Sequence, residues 1–145
     1  MGLFVITGPP AGGKSTWVRQ HAKPGDIVID YDLLANALTA PGADLYNHSK
    51  AVRDVTFRAR AAAITEALKH STDMDVYVIH TLPSAEAQSR YAEHAAQIIT
   101  VDPGRDVVMR RITEHRPHTM TAVAERWYRQ SNHIQQPVQR ASRRW

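Results

Sequence analysis

Apolar and polar positions along the chain alternate between two periods. Leu3 to Thr7 (LFVIT) is a continuous β-prone apolar run ending at Gly8, as a parallel strand buried on both faces requires. Lys14 to His21 predicts the first helix, stopped before Pro24 and Gly25. Asp26 to Asp30 (DIVID) predicts a second short strand, and Asp32 to Thr39 a short helix ended by Pro41 and Gly42. Residues 41–50 (PGADLYNHSK) are rich in turn formers and predict a mobile loop. An Ala-rich, Arg-dotted helix over Val52 to Lys69 then leads to a third strand, Val76 to His80. Ser84 caps a helix running to about His94, and Gln97 to Val101 is a fourth strand. Arg105 to Glu114 and Thr121 to Ser131 predict two helices, because Pro117 in HRPHTM forbids a continuous one. Strands alternating with helices predict an α/β fold, a parallel sheet of about four to five strands covered by helices on both faces.

The 145 residues suffice for one domain with its own core. The periodic pattern assigns residues 1–132 to that domain and leaves 133–145 as a basic tail, without period, either disordered or docked through Trp145. No apolar run approaches the roughly 20 residues that span a bilayer, and no basic segment followed by an apolar stretch opens the chain. Cysteine is absent and the eight histidines are scattered, which leaves no disulfide and no helical metal pair. These features predict a soluble, cytoplasmic protein.

Charge is uneven. Residues 1–104 hold nine Lys or Arg against eleven Asp or Glu, whereas residues 105–145 hold nine Arg against Asp106, Glu114 and Glu125. Guanidinium forks pair bidentately with phosphate oxygens, so such a segment suits a polyphosphate or a nucleic-acid backbone. A solvated helix surface followed by a basic tail would look the same.

The segment GPPAGGKST fills G-x-x-x-x-G-K-[ST] with Gly8, Gly13, Lys14 and Ser15, directly after a strand and directly before a helix. Pro9 and Pro10 donate no N–H, so the amides that curl around a phosphate come from Ala11, Gly12, Gly13 and onward through Thr16. The helix N-terminus adds its positive dipole end, Lys14 reaches the β and γ oxygens, and Ser15 ligates magnesium. The motif therefore predicts ATP and magnesium as ligands.

In an open parallel sheet, catalytic groups gather beyond the carboxyl ends of the strands. The second strand ends in D-Y-D. One of Asp30 and Asp32 can take the proton of an attacking hydroxyl. Asp32 is the candidate base, although its position also suits an N-cap for a helix starting at Leu33, and Asp30 is a candidate second metal contact. The third strand ends at His80, where many related ATPases carry a magnesium-supporting Asp; a neutral imidazole is a poor magnesium ligand, which argues against a motor ATPase. Arg110, Arg111 and Arg116 flank the proline-broken turn at residues 110–120, a candidate lid that excludes water and neutralises developing charge. Arg126 and Arg129 read as surface positions of a helix whose Val123 and Trp127, with Ile134, pack inward.

Taken together, GPPAGGKST, IDYD, VIHTLPSAEAQSRY and TVDPGRDVVMRRITEHRP followed by AERWYRQ resemble the P-loop kinases of the bacteriophage-type polynucleotide kinase group and related small, AAA-like and zeta-toxin-like kinases. The resemblance runs from Phe4 to about Gln130. It implies that Asp32 is the general base, that Arg110 or Arg111 lies against the adenine or ribose, and that Arg116 lies near the phosphates. Two positions depart from the pattern: Ala35 stands where that group has an Arg for the acceptor phosphate, and His80 stands where it has an Asp. The resemblance implies a kinase that moves the γ-phosphoryl of ATP to a nucleic-acid 5′-hydroxyl, with Arg53, Arg58 or Arg90, the last beside Tyr91, left to grip the acceptor. A nucleoside or other small-molecule acceptor is the alternative, and a nucleic-acid-binding NTPase without an acceptor, or a nucleotide-binding module without turnover, the reading from a different class.

Overall fold

The computed structural model describes residues 1–131 and 138–139. Leu3–Thr7 forms β1, Lys14–His21 α1, Ile27–Ile29 β2, Tyr31–Ala37 α2 and Lys50–Leu68 α3. Val76–Ile79 forms β3, Ala85–Glu93 α4, Gln97–Val101 β4, Arg105–His115 α5, Thr119–Ser131 α6 and Val138–Gln139 β5. The strands make one sheet in the order β2-β3-β1-β4-β5. Every pairing is parallel, with Ile6 opposite Ile79 and Ile99, and Ile29 opposite Val78.

Parallel register brings all the carboxyl ends to one edge, so Gly8, Asp30, His80 and Asp102 emerge side by side. The order around β1 reflects crossovers in opposite directions, and such a reversal opens a crevice at this edge. Side-chain alternation distributes the core. Leu3, Val5, Ile29, Val76 and Val78 pack on one face with Ile64 and Leu68 of α3 and Tyr91 of α4. Ile6, Tyr77, Ile79 and Val101 pack on the other with Val18 of α1. Each such side chain contributes about 1.5–3 kcal/mol by leaving water, so the strands are held from both faces. A third cluster joins Ala11 to Val108 and Ile112 of α5 and Ala124 of α6, anchoring the glycine-rich loop to the segment that carries the arginines.

Local boundaries follow capping chemistry. Asp30, and not Asp32, is the N-cap of α2: its carboxylate accepts the amides of Asp32 (3.1 Å) and Leu33 (3.5 Å). The helix accordingly starts at Tyr31, one residue before the predicted start, because β2 loses its pairing with β3 after Ile29. Ser49 caps α3 and Ser84 caps α4 through their hydroxyls. The break between α5 and α6 falls at Arg116, Pro117 and His118. Trp127 is buried, its indole N–H donating to the Thr81 carbonyl at 3.0 Å, while Arg126 and Arg129 are exposed. Within the stretch read as a tail, Val138 and Gln139 pair with Thr100 and Val101. Ile134 and Trp145 lie outside the described residues. Among the described residues no helix is long and apolar enough to cross a membrane.

Candidate active site

The loop from Gly8 to Gly13 closes on itself. The Gly12 amide donates to the Pro9 carbonyl at 3.0 Å, and Ala11 and Gly13 both adopt positive φ, 57° and 93°. Two glycines are demanded by close backbone approach: a Cβ at Gly8, where φ is +148°, would lie 2.2 Å from the Val101 carbonyl oxygen, and one at Gly12 would lie 2.8 Å from that of Pro9. Lys14 begins α1 and is buried. Its ammonium donates to the Gly8 carbonyl at 2.9 Å and the Pro9 carbonyl at 2.6 Å. Burial lowers its pKa to about 8, against the pull of Asp30 and Asp32, which favour the charged form.

Ser15 follows, and its hydroxyl donates to Asp30 Oδ2 at 2.5 Å. Asp30 is itself buried, so its two oxygens are divided between the α2 cap and the Ser15 hydroxyl. A seryl oxygen beside a carboxylate suits magnesium, which prefers oxygen and binds through few protein groups plus phosphates and water. No cluster of three or more His, Cys, Asp or Glu that could hold a metal by itself occurs among the described residues.

Asp32 lies in the first turn of α2. His48 Nε2 is 2.9 Å from its Oδ1, and the His48 side chain is almost fully enclosed. Desolvation raises the Asp32 pKa; Asp30 adds to the rise, while the His48 hydrogen bond and the charges of His48 and Arg116 oppose it. The turn-rich loop therefore does not stand away from the site. Tyr31 meets the His48 ring edge-on, and Arg53 donates to the His48 carbonyl at 2.9 Å.

The arginines divide. Arg111 is buried and donates to the Ala11 carbonyl at 3.2 Å, tying α5 to the loop, whereas Arg110 is exposed. Arg116, the C-cap of α5, stacks over the Tyr46 ring with its guanidinium carbon 3.4 Å from the centroid, and its charge is felt at Lys14 and Asp32. Arg90 points away, donating to Thr65 on α3 at 3.1 Å, and Tyr91 is buried with its hydroxyl 2.9 Å from His80 Nδ1. These contacts set Arg90 against α3 and Tyr91 beside His80 at the carboxyl edge of the sheet. Burial, aided by Arg60, lowers the His80 pKa to about 4, so the imidazole is neutral near pH 7. Arg58 is exposed. A cavity of about 700 Å³ between β4, α4 and α6, lined by Thr7, Thr100, Asp102, Trp127 and Tyr128, is not lined by Lys14, Asp30 or Asp32.

Comparison with known proteins bears on this arrangement. The family described as AAA domain matches residues 3–137. The chain belongs to that family of P-loop kinases. The dephospho-CoA kinase of Aromatoleum aromaticum is 29% identical over 139 residues, covering 76% of this chain and 68% of the relative. Neither match is to a polynucleotide kinase, so the comparisons carry the kinase part of the resemblance and not its acceptor. This kinase has ATP as the substrate its family implies, generally with magnesium.

Three contacts of the site escaped the sequence reading. His48 and Tyr46 sit in a segment whose composition shows only turns. Arg60 is different: its spacing of four from Ile64 and eight from Leu68 places it on the inward stripe of α3, a signal present in the sequence.

Proposed function

We propose that this kinase transfers the γ-phosphoryl group of ATP to the hydroxyl of a small-molecule acceptor. In this reading the loop amides and Lys14 hold the phosphates, Ser15 and Asp30 hold magnesium, and Asp32 takes the proton from the attacking hydroxyl. Magnesium, when bound, neutralises charge on the phosphate oxygens. Arg116 clamps that charge from the lid turn, and Arg111 orders the loop from beneath.

The observation that carries the reading is the placement of Asp32. Its carboxylate follows the Ser15-bound Asp30 by two residues, stays 41% exposed and so open to an acceptor, and partial desolvation raises its affinity for a proton. A small acceptor is favoured over a polynucleotide by where the arginines go. Arg105 pairs with Glu125, Arg111 is turned onto the loop and Arg116 onto Tyr46, which leaves half of the six arginines in residues 105–131, Arg110, Arg126 and Arg129, exposed for a backbone. Ala35, at the place of the polynucleotide-kinase acceptor Arg, is fully buried. The relative's name supplies an acceptor of the CoA type to test first.

The test is incubation with γ-labelled ATP and magnesium alongside dephospho-CoA, nucleosides, sugar phosphates, hydroxy acids and 5′-hydroxyl oligonucleotides. Label is expected on a small alcohol, with a KM that changes little between about 50 and 200 mM salt. Oligonucleotide labelling whose KM rises steeply over that range would restore the polynucleotide acceptor, since such binding displaces condensed counterions. Label on no acceptor, with ATP hydrolysed, would replace transfer by an NTPase activity.

A further inference from the structure

Arg60 extends the inward stripe of α3 past Ile64 and Leu68 to the carboxyl edge of the sheet. There its Nη2 donates to the carbonyl of Ile79, the last residue of β3, at 3.0 Å. Its Nε–H is buried and has no acceptor, and no carboxylate pairs with the guanidinium, among the described residues. The acid whose charge it feels, Asp30, already spends both oxygens on the α2 amides and on Ser15. The other groups around it are neutral: Tyr31, Tyr91 and the His80 imidazole, whose Nδ1 is taken by the Tyr91 hydroxyl.

Arg60 is half-buried, and a buried guanidinium N–H is ordinarily paired because its loss of hydration is otherwise uncompensated. Burial accordingly lowers the Arg60 pKa. Capping one carbonyl uses one of the five N–H groups of the fork. The location explains the remainder. Ile29 pairs with Val78, so the Ile79 carbonyl and Asp30 each follow the last paired residues of neighbouring strands. Arg60 thus flanks Asp30 from the β3 side, whereas Arg111 meets the phosphate loop from the β4 side.

We propose that Arg60 is the acceptor anchor of this kinase, gripping an anionic group on the alcohol, so that the acceptor class is a hydroxyl compound carrying a phosphate or a carboxylate. The assignment of Arg60 to the acceptor rests on the reading of Asp32 as the group that receives the acceptor hydroxyl. Arg53 and Arg58 do not compete for the role. Arg53 is exposed and bound to the His48 carbonyl, and Arg58 is exposed, so both are already hydrated.

Anion binding tests the anchor without turnover. With the phosphate loop filled by magnesium-ADP, inorganic phosphate and succinate are titrated separately into the isotope-labelled full chain, following the Arg60 Nε–H and the Ile79 and His80 amides by NMR. One of the two anions should saturate these resonances, and which one does so separates phosphate-bearing from carboxylate-bearing acceptors. Arg60→Gln should weaken that anion about tenfold or more, and Arg60→Lys several-fold through loss of the bidentate fork. Both variants should keep magnesium-ADP affinity, and their thermal melts report folding; Arg60→Lys keeps the charge should the Gln variant melt early. Silence of these resonances to both anions, or equal binding by a folded Arg60→Gln variant, makes Arg60 a sheet-edge cap and overturns the proposal. Anion binding intact while every alcohol in the panel stays unlabelled would instead remove the kinase acceptor reading and leave the anion site.

Discussion

The Arg116 guanidinium stacks 3.4 Å above the centroid of the Tyr46 ring, so the turn between α5 and α6 touches the segment between α2 and α3. Two residues beyond Tyr46, His48 holds the Asp32 carboxylate, and Arg116 is close enough to influence both Asp32 and Lys14. One ring thereby couples the position of a lid arginine to the segment that orients the candidate base. A cation–π contact at a partly open site is worth about 0.5–1 kcal/mol. Tyr46→Phe should therefore preserve kinetics, while Tyr46→Ala should raise KM for magnesium-ATP or acceptor about two- to fivefold. Equal kinetics of the Ala and Phe variants would show that the stack does not hold the lid.

The Asp32–His48 pair makes a pH prediction with a definite sign. Partial desolvation raises the Asp32 pKa in the free enzyme, so the acidic limb of kcat/KM should lie above the ordinary carboxylate value, with activity lost as pH falls through it and the base becomes protonated. The His48 hydrogen bond opposes that rise. His48→Ala should move the limb further up in pH, and Asp32→Asn should lower kcat by about 10² or more and erase the limb. A limb unmoved in His48→Ala would disconnect His48 from the base.

Lys14 governs the alkaline side. Its pKa near 8 reflects burial, so in the free enzyme the ammonium discharges as pH rises through that value. The same burial makes the charged form costly to the fold below pH 8, and that cost is relieved as pH rises toward the unfolded value. For catalysis the charge is what matters: kcat/KM for magnesium-ATP should fall about tenfold per pH unit above the limb, while the kcat limb lies higher because bound phosphates favour the ammonium. A pH–rate profile in which kcat/KM stays flat to about pH 10 contradicts this account of Lys14.

Much of this was legible because the deciding forces are local. Leu3–Thr7 and Lys14–His21 form as predicted, since an apolar run, a glycine-rich turn and a helix start specify themselves without distant partners. The two aspartates show where locality ends. D-Y-D offers two caps and two bases, and the choice is made by β2 separating from β3 after Ile29, which frees Asp30 to cap and to bind Ser15. His48 and Tyr46 gain their roles only from tertiary contacts with Asp32 and Arg116. Neither the spacing nor the composition of PGADLYNHSK encodes those contacts.

Asp30 has two separable duties, and two substitutions separate them. Its Oδ1 accepts the α2 amides and its Oδ2 accepts the Ser15 hydroxyl. Asparagine is as good an N-cap as aspartate, so Asp30→Asn should keep thermal stability near that of the parent while losing the charge beside Ser15. Asp30→Ala loses both duties and should cost roughly 1 kcal/mol of stability or somewhat more, because the part-buried Ser15 hydroxyl also loses its acceptor. If Asp30 supports the metal side of the site, both variants should need about tenfold more magnesium for half-maximal turnover, whatever their stability. Asp32→Asn should leave the magnesium requirement unchanged, because Asp32 does not touch Ser15. A magnesium dependence that shifts in Asp32→Asn and not in Asp30→Asn would exchange the two assignments at the end of β2.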